Sequence, residues 1–187
     1  MTAFILSAFI IAISETGDKT QFIALCLASR FKRPVPILLG ILAATFLSNL
    51  AAGALGQYIG IWLQGRVLHG LLAASFFGAA IWAVIPDKAE DCLKEPAKGH
   101  SIFLASLTSF LIAEMGDKTQ LATVVLAAHF HSVAAVVLGT TLGMMAVNIP
   151  AVMLGYKVLA RMPVNLIRIA AGLVFAAMAV YELSTFW

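Results

Sequence analysis

Six apolar stretches, each about 20 residues or longer, run through a chain of 187 residues and leave very little sequence between them. An α-helix of that length crosses the hydrocarbon core of a bilayer, where only a helix or a closed barrel satisfies its own backbone. The stretches are 3–29, 35–57, 67–86, 101–128, 133–156 and 164–185. Only 11% of the residues are charged, against roughly 25% in a soluble domain. The expected fold is an all-α membrane protein with six transmembrane helices. The N-terminus lacks the basic segment and small-residue cleavage site of a signal peptide, so the first stretch is expected to be a mature span.

Composition also argues against other classes. Cys26 and Cys92 are too few and too far apart to build a disulfide-stapled secreted domain. The net charge of +3 comes from twelve Lys and Arg scattered through short loops, which is no footprint for nucleic acid. Those residues speak to orientation instead. One set of loops holds Arg30, Lys32, Arg33, Lys88, Lys94, Lys98, Lys157 and Arg161, and the other holds Arg66. Under the positive-inside rule both termini are expected on the extracytoplasmic side.

The chain repeats itself. Glu15-Thr16-Gly17-Asp18-Lys19-Thr20-Gln21 returns as Glu114-Met115-Gly116-Asp117-Lys118-Thr119-Gln120, an offset of 99 that also maps Phe31 on Phe130, Gly40 on Gly139, Asn49 on Asn148 and Gly56 on Gly155. Repeat 1 covers 1–86, a polar linker 87–100, and repeat 2 101–187, within one transmembrane domain. Each repeat holds three spans, an odd number, so the second copy enters the membrane from the opposite side. Two inverted three-helix repeats are the architecture through which one central site faces either side in turn.

Glu15, Asp18, Lys19, Glu114, Asp117 and Lys118 lie well inside apolar stretches. Each ionisable group costs roughly 2.5–3.5 kcal/mol at a helix centre, so six facing lipid would cost on the order of 15–20 kcal/mol. They are expected to face one another. Read as continuous helix, the spacings of three and four put Glu15, Asp18 and Lys19 on one face, and likewise in the second copy. Inversion then brings four carboxylates together near the midplane, with the side-chain carbonyls of Gln21 and Gln120 close by. Gly17 and Gly116 allow the backbone to bend or unwind there, which would add main-chain oxygens. Oxygen donors without His or Cys suit hard divalent cations such as Mn²⁺, Ca²⁺ or Mg²⁺. Four carboxylates and two ammonium groups leave a charge of −2, which one such cation neutralises. When the cation leaves, proton uptake is the least costly way to remove that charge, so proton-coupled exchange is expected.

The competing reading makes Glu15–Lys19 and Glu114–Lys118 structural ion pairs within their helices. Thr20 and Thr119 serve either as ligands or by bonding a carbonyl one turn back. Asn49 and Asn148, deep in the second and fifth spans, need either an interhelical hydrogen bond or a metal. Pro150 is expected to kink its span. His69, His100, His129 and His131 are assigned to loops and interfaces, Cys26 to packing, and Glu182 to the outer interface. Trp62, Trp82, Tyr181 and Trp187 read as interfacial anchors.

Two complete copies of Glu-x-Gly-Asp-Lys-Thr, at Glu15–Thr20 and Glu114–Thr119, make the chain resemble the cation-exporter family of MneA-type bacterial manganese exporters and Golgi Mn²⁺/Ca²⁺ transporters. The resemblance covers essentially the whole chain. It implies export of Mn²⁺, or Ca²⁺, in exchange for protons, with the motif carboxylates as ligands and the metal as substrate rather than cofactor. It implies no enzymatic activity, and a place in the bacterial plasma membrane. An intramembrane Mg²⁺-dependent enzyme acting on lipid phosphate would want a basic residue beside the carboxylates, whereas Arg66 and Arg168 lie at span ends. An exporter of small organic solutes would want an apolar pocket, and a passive channel a weaker ion site.

Overall fold

The computed structural model describes residues 1–63, 65–85, 101–154 and 164–186. These fold into eight α-helices: α1 (Thr2–Glu15), α2 (Lys19–Phe31), α3 (Pro34–Trp62), α4 (Arg66–Val84), α5 (Ile102–Glu114), α6 (Lys118–Phe130), α7 (Val133–Leu154) and α8 (Val164–Phe186). The helices α3, α4 and α7 are long and apolar enough to cross a bilayer, and α1, α5 and the 169–184 part of α8 are shorter apolar helices. The linker 87–100, with Cys92 and His100, lies outside the described residues, as do Gly155 and Trp187.

The spans 3–29 and 101–128 are not continuous helices: the backbone unwinds at Gly17 and Gly116, as those glycines allow, and only the shared helical face of each motif is lost. The first is broken after Glu15 and resumes at Lys19, the second after Glu114 and at Lys118. Gly17 and Gly116 cause the breaks, with φ of 80° and 73°. An L side chain resists this left-handed region, and glycine enters it freely. Glu15 and Lys19 therefore do not share one helical face. α2 and α6 end alike, in left-handed residues at Lys32 (φ 52°) and His131 (φ 50°), again 99 apart.

Glycines set the helix pairing. Along α3, Gly40 faces Phe103 and Ser106 of α5, Gly56 faces Val124 and Ala127 of α6, and Gly60 faces Ala128. So α5 and α6 lie one after the other, parallel to α3. The counterpart contacts run along α7, where Gly139 faces Phe4 and Ser7 of α1 and Gly143 faces Ala8 and Ala12. The offset of 99 carries Phe4, Ser7 and Gly139 onto Phe103, Ser106 and Gly40. A Cβ on Gly40 would sit 2.6 Å from Ser106 Cβ, inside contact distance. Gly139→Leu is accordingly expected to destabilise the protein by about 1–3 kcal/mol through overpacking. Gly78→Ala, which meets nothing within 4 Å, should leave the thermal midpoint in detergent unchanged.

The molecule is apolar outside and polar within. Phe9, Leu39, Phe77, Ile81, Leu142, Leu173 and Val180 are exposed, whereas Ser7, Ser14, Thr45, Asn49, Ser106, Thr123 and Asn148 are buried. Water would disfavour such a surface and lipid favours it. Two buried apolar clusters form the core, one around Phe76, Leu126 and Phe175, the other around Leu27, Ile41 and Phe110. Trp62, Trp82 and Tyr181 are exposed. Pro150 lies inside α7, which remains helical through it.

Candidate metal centre

At each break a helix ends on a glutamate and the next begins behind an aspartate. Glu15 closes α1 and Asp18 caps α2; Glu114 closes α5 and Asp117 caps α6. The breaks are braced from within. The Gly17 amide donates to Gln21 Oε1 (2.8 Å), and the Gly116 amide to Gln120 Oε1 (3.0 Å). Each side-chain carbonyl thus stands in for the helical acceptor lost at the turn. The amide Nε2 of Gln21 donates to the Val147 carbonyl (3.4 Å), and that of Gln120 to Ser48 Oγ (3.3 Å).

The lysines pair across the repeats. Lys19 Nζ lies 3.2 Å from Asp117 Oδ1, and Lys118 Nζ 2.5 Å from Asp18 Oδ1. The pairs of the competing reading, Glu15–Lys19 and Glu114–Lys118, give way to these, because the break takes each glutamate and lysine off a common helical face. Lys118 is 2% exposed and Lys19 26%. Thr20 Oγ1 donates to Glu15 Oε2 (2.6 Å) and Thr119 Oγ1 to Asp117 Oδ2 (2.8 Å), rather than to a carbonyl one turn back. This too follows from the break: the preceding turn is missing, so the hydroxyls bond carboxylates.

Oxygens of Glu15, Asp18 and Asp117 lie within 4.8 Å of one another, and all three side chains are buried. Glu15 Oε1 has no hydrogen-bond partner. Glu114 is buried as well but lies outside this group. Its Oε1 is without a hydrogen-bond partner. A cavity of about 440 Å³ reaches Gly116, Asp117 and Gln120 past Leu55 and Trp82, so the second break borders open space where Gly17 is buried. The ends of α1 and α5 present main-chain carbonyls to the same region, partial negative charge that favours a cation.

The asparagines divide. Asn49 Nδ2 donates to Thr141 Oγ1 (3.2 Å), and Thr123 Oγ1 donates to Asn49 Oδ1 (3.2 Å), joining α3, α7 and α6. Asn148 Nδ2 bonds the Met144 carbonyl of its own helix (3.0 Å), and its Oδ1 has no partner.

Three readings made away from the motifs are corrected. Glu182 is 1% exposed and holds His69 Nδ1 at 2.7 Å on one oxygen and His129 Nδ1 on the other. Its side chain is buried between helices, and those histidines, on α4 and α6, are its partners rather than loop residues. Cys26 is disulfide-bonded, not a free packed thiol. An acidic residue within an apolar span, with histidines at the ends of two others, was the available signal for the Glu182 cluster.

Buried carboxylates at paired helix breaks, with a lysine of the other motif beside each aspartate, form a charged centre inside a helical protein whose surface is apolar, as membrane transporters do. The sequence model of the GDT1 divalent cation/proton antiporters matches residues 3–91 and 102–185. The chain belongs to this family. It is a transporter of divalent cations embedded in a membrane, not an enzyme, and the metal is its substrate. A candidate manganese exporter of Vibrio cholerae serotype O1 is 39% identical over 175 residues, covering 92% of this chain and 86% of that protein. A GDT1-like protein of Synechocystis is 34% identical over 203 residues, 96% of each chain. GDT1-like protein 5 of Arabidopsis thaliana is 25% identical over 92% of this chain and 91% of its own length. No solved structure matches the chain.

Proposed function

We propose that this chain exports Mn²⁺ from the bacterial cytoplasm in exchange for protons, through six crossings built as two inverted three-helix repeats. The observation that carries the reading is the meeting of Glu15 and Asp18 from one repeat with Asp117 from the other, within 4.8 Å. In this reading α1 with α2, and α5 with α6, each make one broken crossing. The parallel run of α5 and α6 along the 29-residue α3 supports this, since α3 is about 43 Å long and longer than the apolar core of a bilayer. Both termini then lie outside, together with the α3–α4 and α6–α7 connections.

The cation is held by the carboxylates of Glu15, Asp18 and Asp117, with Glu114 joining when the molecule faces the other way. Gln21 and Gln120 add oxygens when the glycine braces loosen, and Asn148 offers an unused one. Asn49 serves the site through its hydroxyl bonds to Thr123 and Thr141. Gly17 and Gly116 form the breaks, Thr20 and Thr119 orient the carboxylates, and the lysines stand in for the metal. An ammonium paired with each aspartate keeps the centre near neutral between cations, and an arriving Mn²⁺ displaces it. Protons take the charge on the return step.

The test is metal uptake by proteoliposomes supplied with Mn²⁺, Ca²⁺ or Mg²⁺ under an imposed pH gradient. Mn²⁺ movement should follow the gradient, faster when the metal leaves toward the acidic side, and should carry protons the opposite way. Uptake blind to the gradient would remove the proton-coupled reading, and preference for Ca²⁺ would reassign the substrate.

A further inference from the structure

Glu182 lies far along the chain from the motifs, and its surroundings are built. Its carboxylate is 1% exposed, with one oxygen on His69 Nδ1 of α4 and the other on His129 Nδ1 of α6. The imidazoles are 34% and 20% exposed. Both line a cavity of about 230 Å³ with His131, Gly60, Gly65 and Leu68. Water thus reaches the rings but hardly the carboxylate. Three helices meet here on a single buried charge: α4, α6 and α8.

We infer that Glu182, His69 and His129 form a second proton-binding site, apart from the carboxylate centre, through which protons at this end of the molecule fix α6 to α4 and α8. The inference rests on the antiport reading, which requires protons to act from the side opposite the cytoplasm. With both imidazoles neutral the cluster carries one buried negative charge. A hydronium ion in the cavity gives its proton to the Nε2 of one ring, leaving water and an imidazolium–carboxylate pair of zero net charge. Burial favours the neutral cluster, and imidazole is the side chain whose ordinary titration falls in the physiological range. Loss of that proton replaces a charge-assisted bond with bonds from neutral rings and weakens the hold on both rings.

The hold matters because α6 starts at the metal centre. Asp117 caps it, and His129 lies in its last turn, about 18 Å further along the axis at 1.5 Å per residue. Between them the buried residues are Lys118 and Thr119 at the centre itself, then Ala122, Thr123, Val125, Leu126, Ala127 and Ala128. This mostly apolar face offers no chain of proton carriers, so the link is mechanical: a clamped far end fixes the position of Asp117. Glu182, His69 and His129 are positioning residues in this sense. Among the described residues, the other ionisable groups at this end are His131 beside the cavity, the exposed Arg66 at the start of α4, Tyr181 on α8 and the amino terminus of α1. Before Glu15, α1 carries no ionisable side chain.

The test uses the full chain in proteoliposomes, with Mn²⁺ movement measured under one constant pH difference while the outer face is set across about pH 5.5–8.5, the range over which imidazole titrates. Mn²⁺/Mn²⁺ self-exchange at one fixed pH is measured alongside. Wild type should change its proton-driven rate about tenfold over that range, while Glu182→Gln and the double variant His69→Gln/His129→Gln change by less than about twofold. Self-exchange in these variants should stay within about twofold of wild type, because the metal ligands are untouched. His69→Gln alone keeps a hydrogen-bond donor and one imidazole, and should move the midpoint of the profile without flattening it. Variants that keep the wild-type profile overturn the inference. A loss of self-exchange in step with proton-driven exchange also overturns it, since the cluster would then be plain structural support. A wild type whose Mn²⁺ movement ignores the pH difference itself removes the antiport reading, visible before any variant is made.

Discussion

Asp117→Asn lowers Mn²⁺ binding by about a hundredfold, or 2.7 kcal/mol, and brings proton-driven exchange to the level of empty liposomes. The substitution keeps the shape of the side chain and its cap on α6 while removing one of three clustered charges, and ligand charge sets the affinity of oxygen sites for divalent cations. Glu15→Gln should match it, because both side chains belong to the group within 4.8 Å. Glu114→Gln separates binding from turnover. Glu114 lies outside that group, so the variant should bind Mn²⁺ within about threefold of wild type in this conformation. If the repeats exchange roles on reversal, Glu114 takes the place of Glu15 in the opposite state, and the same variant should lose turnover by about a hundredfold. Equilibrium binding in detergent and exchange in proteoliposomes read the two quantities. A Glu114 variant that transports like wild type would remove the symmetric mechanism and leave a one-sided site.

Periodicity and repeat arithmetic made much of this legible, because both report on single helices and pairs of equivalent positions. The apolar stretches foretell where α3, α4, α7 and α8 run to within a few residues, apart from the C-terminal extension of α3 to Trp62. The two motifs point to four carboxylates because a charge in hydrocarbon demands a partner, and three of them, Glu15, Asp18 and Asp117, meet while Glu114 stays outside the group. Helical spacing misleads at the motifs themselves. Gly17 and Gly116 suggest a bend, but the side-chain brace from Gln21 and Gln120 that makes the break a fixed turn depends on a backbone that has already left the helix. Every pairing that assumed i,i+4 geometry then goes astray, as Lys19, Lys118, Thr20 and Thr119 show. The Glu182 cluster was hidden for another reason: its three members come from α4, α6 and α8, at positions that no repeat relates to one another.

The lysines make the second large expectation, and it separates a stand-in cation from a plain structural pair. Lys118→Met leaves Asp18, 1% exposed, without the ammonium 2.5 Å away. Removing one partner of a buried pair costs about 3–5 kcal/mol, because the remaining charge stays desolvated. Lys19→Met should cost no more than about 1 kcal/mol, since Lys19 is 26% exposed and water screens its pair with Asp117. Thermal unfolding in detergent should therefore show a large loss for the first variant and a small one for the second, with Asp18→Asn/Lys118→Met recovering most of it. Saturating Mn²⁺ decides the role. If the ammonium holds the place of the metal, Mn²⁺ supplies the missing positive charge, and the Lys118→Met protein should gain more stability from the metal than wild type does. It should also bind Mn²⁺ more tightly, since no ammonium has to be displaced, and release it more slowly. An equal gain in both proteins would mean that Lys118 holds the helices together without competing for the cation site.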